Sequence, residues 1–521
     1  MLSITFSAAI LLFLLYIARE IRAYYNLKQF GGPWIVGFSR IWLYRSIMSG
    51  RMNIHFTELN DKYGSTARSG PNHLMTCDPA LIRRMNAVRS SYTRSEWYKG
   101  LRLHPTRDNI TSYRDEATHM QLRNQMALGY SGKENLFLEQ DIDKRLLQLI
   151  DLMKSKYTSS STEYRPFCLA RLTTFFTLDV ISTVAFGRAF GFLERDEDHF
   201  DYINQLNKFL PAVMLFGSYP ELQSVMRLPF MQALAPKATD AVGLGKVMGF
   251  AKEVVAERFG AKPIVRKDML GSFLAHGLSQ EQLESETLTQ ITAGSDSSST
   301  AIRMTIFLIT TSPQIYTKLM AELDDALNAG KFTRPIMTDA ESRQLPYLQA
   351  CIKEGLRMYP PVTGLLAKQS PPEGDWVDGK FIPGGVQIGW NSWGLMRRKD
   401  VFGNDPEVFR PERWFAAEDE EQETAAKRIE NMEGVQGMVF GYGRFGCLGK
   451  NVAVMELDKA VAELLLRFNF QIANPEKPFE STCIGFFLMQ KMIFRLEERT
   501  TTATSQDDGA RDVLALDDIS Y

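Results

Sequence analysis

The strongest constraint on this chain is one long helical stretch bounded at both ends. Ser279 and Gln282 form an S-x-x-Q capping box, and Pro313 closes the far end. Between them there is room for about 33 residues of helix, or about 50 Å at 1.5 Å per residue. A helix that long crosses a whole domain, so the other elements must pack around it. Its centre, Ala293 to Thr300, reads AGSDSSST. Serine and threonine compete for backbone hydrogen bonds, so a bulge or bend is expected there. A core helix has no need of so polar a centre, whereas a site for a small polar ligand would use one.

From about Tyr63 to Arg467 the pattern is helices separated by Pro/Gly breaks, with a minority of strands and no internal repeat. The expected class is mainly α with a smaller β portion. At 521 residues the chain can bury a sizeable core, and 45% apolar with 23% charged residues excludes a collagen, a disulfide miniprotein or a mostly disordered chain. Lys plus Arg is 60 and Asp plus Glu 61, a net charge of −1, so no nucleic-acid partner is expected. The 5 cysteines are odd in number and widely spaced, which points to a reducing compartment rather than a disulfide framework. The 6 histidines form neither H-x-H nor H-E-x-x-H, so the usual zinc sites have no support.

Leu2 to Ala18 carry no charge, and Arg19, Arg22 and Lys28 follow. An apolar run with positive charge after it reads as a retained signal anchor with its C-terminal side in the cytoplasm. A cleaved signal would prefer charge before the run and a small-x-small site after it. Residues 1–25 are therefore expected to be a transmembrane anchor, with a turn-rich hinge at Gly31-Gly32-Pro33. Residues 26–497 would be one catalytic domain and residues 498–521 a disordered tail.

Phe440 to Gly449 reads FGYGRFGCLG. So many glycines allow tight turns and close approach to a large flat object. Cys447 sits just before an amphipathic helix bearing Val452, Leu457, Val461 and Leu464 on one face. Free amides at a helix N-terminus stabilise a thiolate, which is what an axial haem-iron ligand requires. Taken alone, a single cysteine is more often a buried inert one.

The loop is not alone. It resembles the cysteine loop of the cytochrome P450 family, F-x-x-G-x-R/H-x-C-x-G, at Phe440, Gly443, Cys447 and Gly449. It departs two residues before the cysteine, where Phe445 replaces the family's Arg/His and Arg444 stands one residue earlier. The family's E-x-x-R pair is matched by Glu354 and Arg357, followed by Pro360-Pro361 and by Pro411-Glu412-Arg413-Trp414. The long helix resembles the family's A/G-G-x-D/E-T-T/S at Ala293, Gly294, Asp296, Ser297 and Ser298. His119 and Arg123, four apart, resemble its Trp/His-x-x-x-Arg, and Lys368 aligns with a further family arginine.

The resemblance, from about Pro33 to Leu496, implies a cytochrome P450 fold holding haem b (iron protoporphyrin IX). Cys447 would ligate the iron, with Phe440, Ala293 and Gly294 beside the haem. His119, Arg123, Lys368 and Arg444 would meet the propionates. Asp296 and Ser297 would deliver protons to dioxygen, and Glu354, Arg357 and Arg413 would form an ion network holding the cysteine loop. The implied activity is monooxygenation of an apolar small molecule, most similar to fungal secondary-metabolism members of the pisatin-demethylase type. The implied partner is the NADPH-cytochrome P450 reductase of the endoplasmic reticulum membrane, since the chain has neither a dinucleotide fingerprint nor a flavin domain. Trp97, Tyr98, the segment after Pro361 and Ile484 to Phe487 would line an apolar pocket. The competing readings are a haem-thiolate isomerase or dehydratase without O2 or reductase, and a non-enzymatic haem carrier or sensor. The pair Asp296 and Ser297 argues against the isomerase, and the polar groove against the carrier.

Overall fold

The structure is a computed structural model that describes residues 11, 14, 17, 18, 21–104, 107–219, 221, 222 and 236–499. The expected central helix runs over Gln280–Thr310. Its capping box is formed, with Ser279 Oγ accepting from Gln282 N and Gln282 Oε1 accepting from Ser279 N. Thr311 caps its end, and Pro313 opens the following helix, Pro313–Asn328.

The expected bulge at Ala293 to Thr300 is absent, and the helix is α throughout. The hydroxyls do not compete with the ladder because they fold back onto carbonyls of their own helix. Ser297 Oγ donates to Ala293 O at 2.7 Å and Thr292 Oγ1 to Leu288 O at 3.0 Å. The neighbouring helix Leu169–Phe186 adds Thr177 Oγ1, which donates to Ser295 O at 2.8 Å.

Helix Leu169–Phe186 is buried along nearly all its length. Among the described residues it is the one helix long and apolar enough to cross a membrane, and its burial makes it a core helix. It packs with the central helix and with helices Leu138–Leu152 and Lys450–Arg467 in one large apolar cluster. The β portion is small, as expected. Its largest sheet has five strands, and in spatial order these are Thr66–Gly70, His73–Thr76, Gln387–Trp390, Lys368–Gln369 and Thr93–Arg94. The last pair is antiparallel and sets Arg94 directly opposite Lys368.

The anchor expected over residues 1–25 lies mostly outside the described residues. From Ala23 onward the chain is part of the body. Arg68 donates to the Ala23 and Tyr24 carbonyls, and Leu27 is fully buried. The Gly31-Gly32-Pro33 segment is packed rather than a free hinge. Gly31 O accepts from Arg68 N at 2.7 Å, and a Cβ on Gly32 would lie 2.5 Å from Arg68 O. At the other end, Glu498 still pairs with Phe468, and Arg499 binds Asp324. The rest of the expected tail lies outside the described residues.

Candidate active site

Three elements meet around one cavity of about 210 Å³: the central helix, helix Glu116–Tyr130 and the loop that leads into helix Lys450–Arg467. The glycines of this loop are needed for its path. Gly441 and Gly443 have φ of 78° and 57°, and a Cβ on Gly443 would lie 2.1 Å from Asn86 O. Cys447 N donates to Phe440 O at 2.6 Å, which closes the loop and places Cys447 on the cavity wall. Phe440 is not on that wall itself. Burial pushes the Cys447 thiol up, against the opposing pull of the Gly449 amide, Arg123 and Lys450.

Facing the cysteine loop across the cavity are Ala293, Gly294, Ser297 and Ser298, the face expected from helical spacing. Gly294 has a packing reason as well, since a Cβ there would lie 3.0 Å from Ile181. Asp296 is not among the lining residues. Its carboxylate turns to Arg303, 3.3 Å away and itself buried among Ser299, Thr300 and Thr174. Burial raises the Asp296 pKa, and Arg303 opposes that.

At one end of the cavity the cations gather around Phe445. Arg123 lines the cavity and donates to Gly446 O at 2.6 Å. Lys368 Nζ lies 2.9 Å from the Phe445 ring centroid, and the guanidiniums of Arg94 and Arg444 lie 4.8 and 5.0 Å from it. Arg444 also donates to Ser90 O and Tyr92 O and stands 3.6 Å from Glu116. His119 is buried on the cavity wall, and its pKa falls to about 3, first through burial and then through Arg94, Arg123, Lys368 and Arg444. It is therefore neutral at physiological pH and offers one N–H rather than a charge.

Lys368 Nζ, His119 Nδ1, and the Nε atoms of Arg94 and Arg444 are buried with no hydrogen-bond partner. Buried cations with unsatisfied donor atoms are costly, and among the described residues Glu116 is the carboxylate that faces Arg94, Lys368 and Arg444. This rim fits the two carboxylates of a haem. Two members of the site were not anticipated from sequence, Arg94 and Glu456. Glu456 lines the cavity from helix Lys450–Arg467, and burial lifts its carboxyl to about 8. It could have been found by spacing, since it lies three and four residues beyond Ala453 and Val452 on the face turned to the site.

Glu354, Arg357 and Arg413 are brought together and fully buried. Arg357 binds Glu354 through two bonds, at 2.7 and 2.9 Å, and Arg413 Nε reaches the same carboxylate at 2.8 Å. The carbonyls that these arginines bind belong to Met396, Phe402, Asp405, Pro406 and Val408, upstream of the cysteine loop. The expected pocket segments also meet. Trp97, Tyr98, Met214 and Leu365 share one apolar cluster with Phe486 packed against it, and Thr363 N donates to Gly485 O.

A cysteine on a cavity wall, a small-residue helix face opposite and unpaired cations at the rim define a haem-thiolate class of protein. A sequence model of the cytochrome P450 family matches residues 31–494, and the chain belongs to that family. It is an oxidoreductase of the monooxygenase kind. The chain is 40% identical to cytochrome P450 monooxygenase ABA1 of Pyricularia oryzae over 91% of its own length and 93% of the relative's. It is 36% identical to aba1 of Botryotinia fuckeliana, with coverage of 91% and 93%. It is 33% identical to abl1 of Leptosphaeria maculans, with coverage of 88% and 80%. These names favour the monooxygenase over the isomerase and carrier readings.

Proposed function

We propose that this protein inserts one oxygen atom from O2 into a bulky apolar small molecule in fungal secondary-metabolite biosynthesis. Electrons would come from an NADPH-cytochrome P450 reductase. The catalytic domain would face the cytoplasm, anchored by residues 2–18 in the endoplasmic reticulum membrane. The observation that carries the reading is Cys447 on the wall of a cavity whose opposite side is Ala293, Gly294 and Ser297 and whose rim holds unpaired cations.

Cys447 would ligate the iron of haem b, and Arg123, Lys368, Arg444 and the His119 N–H would hold its carboxylates. The haem, when bound, supplies the activation of dioxygen, which the thiolate's electron density favours. The chain's own residues position and protonate. Ala293 and Gly294 leave the helix surface low enough for a flat group and a small gas molecule. Ser297 keeps its hydroxyl proton parked on Ala293 O and can turn it into the cavity. Asp296, held by Arg303, is a proton source behind that helix face rather than in the cavity. The apolar cluster of Trp97, Tyr98, Met214 and Leu365 would suit an apolar substrate.

The test is coexpression with the reductase, followed by mass spectrometry of host metabolites. A product heavier by one oxygen, formed only with NADPH and O2, is expected. Turnover without either would point away from monooxygenation.

A further inference from the structure

The loop over residues 107–114 gives Ile110 and Thr111 to the cavity wall and is strapped to the first turns of the central helix. Inside the loop, Asn109 Oδ1 accepts from the Thr111 and Ser112 amides at 2.9 and 3.0 Å, and Asp108 accepts from Ser112 Oγ at 2.8 Å. From the helix, Ser285 Oγ donates to Asp108 O at 3.1 Å, and Glu281 and Glu284 pair with Arg107 at 3.1 and 2.9 Å. The Glu281 pair reaches solvent and contributes little.

The deep tie is Glu286, which is 1% exposed. Its Oε1 accepts from the Ile110 amide at 2.8 Å, while the Ile110 carbonyl accepts from Arg94 Nη1 at 2.8 Å. Ile110 is thus held at both its amide and its carbonyl. Glu286 Oε2 is buried with no hydrogen-bond partner among the described residues. A carboxylate ion in that setting would be costly, and burial lifts the carboxyl to about 8 against the pull of the Ile110 amide. The titratable groups that feel Glu286 are Tyr113 on the loop and Tyr130 on helix Glu116–Tyr130, and burial raises both, so they stay neutral. The charges of the strap, Arg102, Arg107, Asp108, Glu281 and Glu284, pair with one another.

We propose that Glu286 is a positioning residue for the reaction: its uncharged carboxyl fastens the Ile110 amide and so holds Ile110 and Thr111 in the cavity wall, and loss of its proton releases the strap. The proposal rests on the haem-binding reading of the cavity. With the strap closed the proton is kept up to about pH 8, and with the strap released the carboxyl meets water and ionises above about 4.5. Each pH unit between these values therefore favours release by about tenfold.

The test is hydrogen–deuterium exchange of the Ile110 amide in the haem-loaded protein, corrected for the pH dependence of chemical exchange. From about pH 6 to about pH 8 the opening constant should rise tenfold to fiftyfold in wild type and stay flat in Glu286→Gln, which keeps the acceptor and cannot ionise. An equal slope in both proteins overturns the proposal. Should Glu286→Gln not accumulate, wild type decides, since an opening constant that does not change with pH overturns it as well. A second readout separates positioning from mere structure. Dissociation of 4-phenylpyridine, a bulky ligand of ferric haem, should quicken with pH in wild type and not in Glu286→Gln. Dissociation that ignores the opening of Ile110 would make Glu286 a structural tie only and refute the positioning role. A wild-type protein that takes up no haem would instead refute the reading of the cavity, while exchange at Ile110 still reports on the strap.

Discussion

Replacing Glu354 by glutamine removes the carboxylate that two buried guanidiniums share, while Asp405 stays 3.2 Å from Arg413. Oε1 accepts from Arg357 Nη2 at 2.7 Å, Arg413 Nε at 2.8 Å and the Arg410 amide at 3.1 Å. Oε2 accepts from Arg357 Nε at 2.9 Å and Trp414 Nε1 at 3.1 Å. Glutamine keeps one acceptor oxygen and puts an NH2 where the other was. Whichever way it turns, at least two donors meet a donor. One of these is charged, at about 1.5–3 kcal/mol, and the other contributes about 1 kcal/mol. With the lost countercharge the destabilisation comes to about 3–5 kcal/mol, as for breaking a buried ion pair. The assay is urea denaturation of the haem-loaded protein, followed together by Soret absorbance and tryptophan fluorescence. Glu423→Gln is the control, because its partner Lys427 is equally exposed and the pair should contribute no more than about 0.5 kcal/mol. A Glu354→Gln protein as stable as the control would refute the claim that this network clamps the chain between Met396 and Trp414.

Ser297→Ala should leave haem binding and reduction intact and slow oxygenation by about 10²- to 10⁴-fold, with more peroxide released per NADPH; unchanged coupling would rule out the hydroxyl. Stability should fall as pH rises from about 5 to 8, because burial raises the folded-state carboxyl of Glu286 to about 8, so the folded chain holds a proton that the unfolded chain releases above about 4.5. Glu286→Gln keeps the acceptor for the Ile110 amide and should flatten that slope, and an identical pH dependence of denaturation would argue against it. Removing residues 1–20 should free the protein from pelleted membranes with haem retained, whereas cutting to Asn26 should destabilise it, because Ala23 and Tyr24 bind Arg68. Persistent pelleting of the shorter deletion would show that the apolar run is not the anchor.

The long helix was legible because its caps are local chemistry, and the cysteine loop because its turns and its close approach to Asn86 require glycine. The absent bulge was misread for want of one fact: serine hydroxyls at this position return to carbonyls four residues back and leave the ladder whole. The resemblance gives Asp296 a part in proton delivery, and Arg303, seven residues on and two turns along the same face, could have been read as its partner. Arg94 gave no such signal. Its meaning depends on standing opposite Lys368, and that pairing arises only when distant segments assemble into the sheet. Local spacing therefore revealed what each helix carries, while the charge balance of the rim emerged only from the tertiary fold.

The central claim is that Cys447 supplies a thiolate to haem iron. It is tested most directly by the absorption spectrum of the reduced carbon monoxide complex, wild type against Cys447→Ala. The account predicts the strongly red-shifted Soret band of thiolate ligation in the wild type and its complete loss in the variant. The same band in both proteins, or none in a haem-loaded wild type, would contradict it.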